Sequence, residues 1–111
     1  MKKINRLRRN EDFTKVVKEG RTFKNSSFVI HVNKNSLNLT RIGLSVSRKN
    51  GDAVTRNKIK RQLRAMVIDF VKQNNPIDVV IIVRADYLNN NYHKELLALD
   101  SFQKYHYYLG Y

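Results

Sequence analysis

The apolar positions of this chain follow a helical period, then a period of two, then a helical period again. Phe13, Val16 and Val17 share one face at helical spacing. Asn10 is placed to cap that helix, Glu11 and Asp12 suit the positive end of its dipole, and Lys15 and Lys18 suit the other end. Gly20 supplies a left-handed stop. Arg21 to Lys24 is a weak candidate for a short strand. Ser27 to Asn33 then alternates, with Phe28, Ile30 and Val32 on one side and Val29, His31 and Asn33 on the other. Arg41 to Ser47 alternates too, with Ile42, Leu44 and Val46 inward. The polar, Asn-rich loop between these two runs suits an antiparallel hairpin.

A turn at Asn50-Gly51-Asp52 leads into a long helix, Ala53 to Lys72, whose apolar stripe is Ile59, Leu63, Met66, Val67 and Phe70. Asn74, Asn75 and Pro76 end it. Asp78 to Arg84 contains Val-Val-Ile-Ile-Val, the mark of a strand buried on both faces. A last helix is expected after Asn89-Asn90-Asn91, burying Leu96, Leu99 and Phe102 and stopping at Gly110. The order α-β-β-β-α-β-α gives an α/β chain, an α+β two-layer sandwich with one small sheet. No repeat or linker divides it, so residues 1–111 are expected to form one domain, with basic residues 1–9 as an arm that could be flexible.

Charge changes the picture. The formal net charge is +13, and it is localised. Residues 1–24 carry nine Lys/Arg against three Asp/Glu, and residues 48–64 carry seven against Asp52 alone. Such a concentration calls for a polyanionic partner. No cysteine is present, which excludes disulfides and thiolate zinc sites. The longest apolar run, Val79 to Val83, is too short to span a bilayer, no apolar signal segment follows the basic N-terminus, and no helix has a strongly amphipathic exposed face. A cytoplasmic location and no membrane partner are therefore expected.

On the long helix Asn57, Lys60, Arg61 and Arg64 fall at i, i+3, i+4 and i+7, flanked by Arg56 and Lys58. Ordinary solvated helix faces mix signs; this one does not. Arginine forks suit phosphate oxygens, and Asn57 can donate and accept towards a 2′-hydroxyl or a base edge. An independent enzyme would need clustered acids, bases or metal ligands, yet His31, His93 and His106 are scattered and the carboxylates are unpaired. A different RNA-binding protein, of ribosomal type, fits the composition equally well.

The motif separates the two. Arg48-Lys49, a turn at Gly51, then Arg56-Asn57-Lys58-Ile59-Lys60-Arg61-Gln62-Leu63-Arg64 resembles the signature of the protein component of bacterial ribonuclease P. So do the strand Ile42-Gly43-Leu44-Ser45-Val46-Ser47, the opening Asn5-Arg6-Leu7 and Asn10-Glu11-Asp12-Phe13. The resemblance implies a subunit of an endoribonuclease holoenzyme. In it a catalytic RNA, using Mg2+, cuts precursor tRNA at the mature 5′ end. The protein itself is expected to hold no metal or cofactor, to carry no catalytic residue and to bind no DNA.

By the same resemblance, Arg48, Lys49, Arg56, Asn57, Lys58, Lys60, Arg61 and Arg64 would contact the catalytic RNA, with Arg6, Arg8 and Arg9 as further basic contacts. Phe13, Val17 and His31 would line a cleft for the 5′ leader. Val17 and His31 stand where relatives often have aromatic residues, and Asp52 stands where Asn is usual. The family also implies a left-handed crossover between the strands Arg41–Ser47 and Asp78–Arg84, against the right-handed one that general chirality favours.

Overall fold

The computed structural model describes residues 2–24, 27–85 and 87. The elements are α1 (Asn10–Glu19), β1 (Arg21–Lys24), β2 (Phe28–Lys34), β3 (Arg41–Ser45), α2 (Ala53–Lys72) and β4 (Ile77–Val83). Short 3-10 turns occupy Lys3–Asn5 and Arg48–Asn50. The helix expected after Asn91, with Leu96, Leu99 and Phe102, lies outside the described residues.

The four strands form one sheet in the order β1-β2-β4-β3. β2 and β3, expected to pair as a hairpin, are not neighbours. β4 lies between them, antiparallel to β2 and parallel to β3, with α2 as the crossover. The cause is apolarity on both faces of β4: only a central position covers both, and β4 buries every residue except half-buried Ile82. Its odd-numbered residues Ile77, Val79, Ile81 and Val83 join Phe28, Ile30, Val32 and Ile42 in a core completed by Ile59, Leu63, Met66, Val67, Phe70 and Val71 of α2. On the opposite face Val80 packs with Leu7 and Val16, and with the half-buried Phe13 and Ile82.

The helix ends differ from the sequence reading in two places. Asn10 is the first helical residue rather than the cap; Arg9 holds the cap position and no side chain caps the helix. Gly20 is extended, with φ −79° and ψ 167°, so it is no left-handed stop. Its glycine has a steric cause instead, since a Cβ there would stand 2.5 Å from the carbonyl oxygens of Val16 and Val32. α2 matches the expected bounds. Asp52 caps it by accepting a hydrogen bond of 2.8 Å from the Thr55 N–H, and Gln73 ends it before Asn74 at φ 53°.

The basic N-terminal segment is docked rather than free. Asn5 Nδ2 donates to the Thr40 carbonyl at 2.7 Å, Arg6 bridges to Ile42 in parallel, and the Leu7 N–H donates to the Ile42 carbonyl at 2.9 Å. Asn5 and Leu7 are both buried. This arm runs along the outer edge of β3. No helix among the described residues is long and apolar enough to cross a membrane.

Candidate nucleic-acid interface

The capped start of α2 fixes the register of the charged helix face. The Asp52 carboxyl is held below its usual range by the Thr55 N–H first, then by the Thr55 hydroxyl and the charge of Arg56. It therefore serves the helix end as an anion. From there the buried stripe turns Asn57, Lys58 and Arg61 outward into solvent. Arg56, Lys60 and Arg64 are half-buried. The expected single rail of Asn57, Lys60, Arg61 and Arg64 thus splits: Asn57 and Arg61 face solvent, while Lys60 and Arg64 turn towards the N-terminal arm.

Arg48 and Lys49 stand exposed on the turn that precedes α2. The turn is rigid for local reasons. Asn50, only 1% exposed, accepts from the Ser47 N–H at 3.2 Å and donates to the Arg84 carbonyl at 3.1 Å. Gly51 follows at φ 124°, a conformation that side chains rarely adopt. The sequence reading passed over Asn50; its place beside a turn glycine was the available signal.

Arg6 and Arg8 meet Lys60 and Arg64 around a cavity of about 170 Å³ floored by Leu7, Ile42 and Leu44. The two basic segments, far apart in sequence, converge here. Arg6 Nε and Arg64 Nε are both buried and have no hydrogen-bond partner. Leaving such a donor unpaired costs on the order of 1–3 kcal/mol. Arg9, exposed at the start of α1, does not line this cavity. A larger cavity of about 500 Å³ opens beside Ile4, Ile68 and Val71, and none of the expected site residues lines it.

Of the three residues expected to line a cleft, Phe13 and Val17 belong to α1 and His31 to β2, on the face of the sheet opposite α2. Pairing register sets Gly43, Val80, His31 and Thr22 in one row across β3, β4, β2 and β1. The Phe13 ring sits over Gly43: a Cβ added there would meet ring carbon Cε2 at 2.5 Å. His31 lies two strands away, roughly 10 Å at ordinary strand spacing, and its Nδ1 is 3.0 Å from Thr22 Oγ1. Burial first, and then Lys24, hold the imidazole below its ordinary pKa. Val17, one helical turn beyond Phe13, is 39% exposed.

The next row, Ser45, Ile82, Val29 and Lys24, is covered less completely, and Val29 and Ile82 are half-buried. These two residues add apolar surface that the sequence reading did not single out. Alternation placed Val29 on the His31 side; only the register adds Ile82. A cavity of about 360 Å³ links Ile82 with Ser47 and Lys49, so this face runs on into the basic turn.

α1 is tied to the sheet by charge as well as by packing. Arg41 donates to Asp78 from Nε at 2.8 Å and from Nη2 at 2.6 Å, and its Nη1 lies 3.5 Å from Asp12. The hydrogen bonds to Asp78 raise the Arg41 pKa further. Among the described residues no group of three or more His, Asp or Glu is placed to hold a metal ion.

A family model for ribonuclease P matches residues 1–105. The ribonuclease P protein component of Listeria monocytogenes serotype 4b is 43% identical over 96 residues, covering 85% of this chain and 81% of the relative. That of Bacillus velezensis is 45% identical over 85 residues, 76% of this chain and 73% of the relative. The ribonuclease P protein of Staphylococcus aureus superposes with a TM-score of 0.83 at 31% identity, over 90% of this chain and 93% of its own. That of Thermotoga maritima, solved with 1-(4-fluorophenyl)-2-thiourea, gives 0.78 at 31%, over 88% and 96%. The chain belongs to the ribonuclease P protein family, the protein component, with an RNA partner, of an endoribonuclease of tRNA processing.

Proposed function

We propose that this protein binds the catalytic RNA of ribonuclease P through α2 and the turn before it, and guides the 5′ leader of precursor tRNA along the face between α1 and the sheet. The observation that carries the reading is a helix with one deeply buried side and no acidic residue between Asp52 and Asp69 on the other. Arg48, Lys49, Arg56, Asn57, Lys58 and Arg61 offer phosphate and sugar contacts there, and Lys60 and Arg64 extend them to Arg6 and Arg8. Phe13 supplies a ring face for a leader base, and stacking of this kind is worth about 1–3 kcal/mol per base. His31 offers a neutral hydrogen-bonding edge, while Val17, Val29 and Ile82 offer apolar contact without stacking.

In this reading Mg2+ and the hydrolysis belong to the RNA, and the protein works in the cytoplasm by positioning and charge neutralisation. The test is cleavage of a precursor tRNA at low Mg2+ with protein alone, RNA alone, and both. Efficient cutting at the mature 5′ end by the combination only is the expected result. No gain on adding the protein would overturn the reading.

A further inference from the structure

We infer that the cavity between the foot of the N-terminal arm and the last turns of α2 is a binding site for a small amphipathic carboxylate, an apolar body with one anionic head. The inference goes beyond the RNA-binding reading and does not rest on it.

The arm lies against α2 at two places of unlike character. Lys60 and Arg64 line the smaller cavity with Arg6 and Arg8, whereas Ile68 and Lys72 line the larger one with Ile4 and Lys2. Between Arg64 and Ile68, about one helical turn, the lining changes from charged to apolar. Ile4 is 64% exposed and Ile68 37%, and they reach the cavity from separate elements. Val71, which is buried, lines it with them. Single exposed apolar side chains are ordinary on a protein surface. Two that converge beside a buried third make a concave apolar site. The site is also preformed, because Asn5, donating to the Thr40 carbonyl at 2.7 Å, anchors the arm next to Ile4.

Size and charge set the class of ligand. The volume, about 500 Å³, falls within the roughly 300–1,000 Å³ of small-molecule sites. Among the described residues that line it there is no carboxylate and no arginine. The fork that favours phosphate is therefore missing, and the ammonium point charges of Lys2 and Lys72 stand in its place. The helix end does not set bare oxygens against an anion, since the Phe70 and Val71 carbonyls accept from the Gln73 and Asn74 N–H groups. A phosphodiester backbone, hydrated along its length, gains nothing from Ile4 and Ile68. A carboxylate with an apolar tail covers both and leaves its head at the lysines. A second copy of the chain, at a net charge of +13, is repelled.

The test uses the full chain with 13C-labelled isoleucine δ1 methyls, and Ile4→Val and Ile68→Val assign the two signals by their disappearance. The probes are decanoate, below its micellar concentration, and decanol as its uncharged counterpart. With decanoate the Ile4 and Ile68 signals are expected to move together and saturate at one midpoint. Ile82, half-buried on the face of the sheet opposite α2, should not move. Lys2→Gln combined with Lys72→Gln, both at exposed positions, should weaken decanoate about three- to tenfold and leave decanol unchanged. No selective shift at Ile4 and Ile68 would overturn the site. Decanoate binding that ignores the lysines, or that decanol equals, would overturn the carboxylate assignment.

Two further measurements expose a different occupant. Contacts from Ile4 or Ile68 to residues beyond 87 in the protein without ligand would mean that the chain fills its own cavity, and would overturn the site. Ribonuclease P RNA added to the decanoate complex is expected to leave decanoate bound. Displacement of decanoate by the RNA would assign the cavity to RNA and overturn the proposal. Decanoate binding by a protein with no affinity for the RNA would uphold the site and overturn the RNA reading.

Discussion

The two faces of the sheet are built on different principles. Under α2 lies a continuous apolar core that joins six helix residues to β2, β4 and Ile42 of β3. Under α1 the packing is thin: Leu7, Val16 and Val80 are buried, Phe13 and Ile82 only half so. α1 is joined to the sheet in addition by the Asp12–Arg41–Asp78 network. The α2 face is therefore suited to hold a rigid cationic helix against a structured RNA. Among the described residues the α1 face leaves more apolar and aromatic surface uncovered, which the proposed path of a leader strand requires.

The largest expected effect breaks this contrast from the thick side. Leu63→Ala, at a position with no exposure, should cost about 2–5 kcal/mol in denaturant unfolding. Val16→Ala, on the buried side of α1, should cost about 1–3 kcal/mol, because it removes two carbons rather than three and fewer apolar neighbours surround it. Equal losses would mean that the two faces contribute alike.

Next in size is Arg41→Met, which tests whether charge secures the thin side. Asp78, only 6% exposed, would keep Asn35 Nδ2 at 2.8 Å as its donor and lose the guanidinium fork. A cost of about 2–3 kcal/mol is expected. A stability change within about 0.5 kcal/mol, the range of ordinary surface substitutions, would show that packing alone seats α1.

Arg61→Ala should leave folding almost untouched, because its side chain is exposed. It should instead weaken binding to ribonuclease P RNA about tenfold and reduce the salt slope by about 0.7–0.9. An unchanged salt slope would remove Arg61 from the interface.

Much of this architecture was legible in the sequence because it follows from periodicity. The helical stripe and the acid at position 52 defined α2 to its bounds, and the unbroken apolar run of β4 foretold burial on both faces. Which strands lie beside β4 was not legible. Alternation says which face of a strand is buried, but not who its neighbours are. The cationic helix face was readable from its lack of acids. Its division was not, because the turn of Lys60 and Arg64 towards Arg6 depends on how the arm docks, through Asn5 on Thr40 and Leu7 on Ile42, each 35 residues away. Phe13 on the Gly43 surface likewise needed the register.

The smallest effect sharpens the contrast most finely, because folding and binding should respond to pH with opposite signs. Burial and Lys24 hold His31 below its ordinary value of 6.5, so on acidification the unfolded chain takes up this proton before the folded one. Stability is then unpenalised above about pH 6.5, declines as pH falls below it, and levels off beneath the folded pKa. An anionic leader in the cleft favours the protonated ring instead, so leader-dependent affinity should rise over the same interval. Thermal unfolding and binding of precursor tRNA with and without its leader, followed from just above neutrality to about pH 5, would measure both slopes. His31→Gln should flatten both. If it flattens only the unfolding slope, His31 is a strand residue bonded to Thr22 and the leader passes elsewhere. If it flattens only the leader-dependent slope, the lowered pKa has no hold on stability and the cleft alone senses the proton.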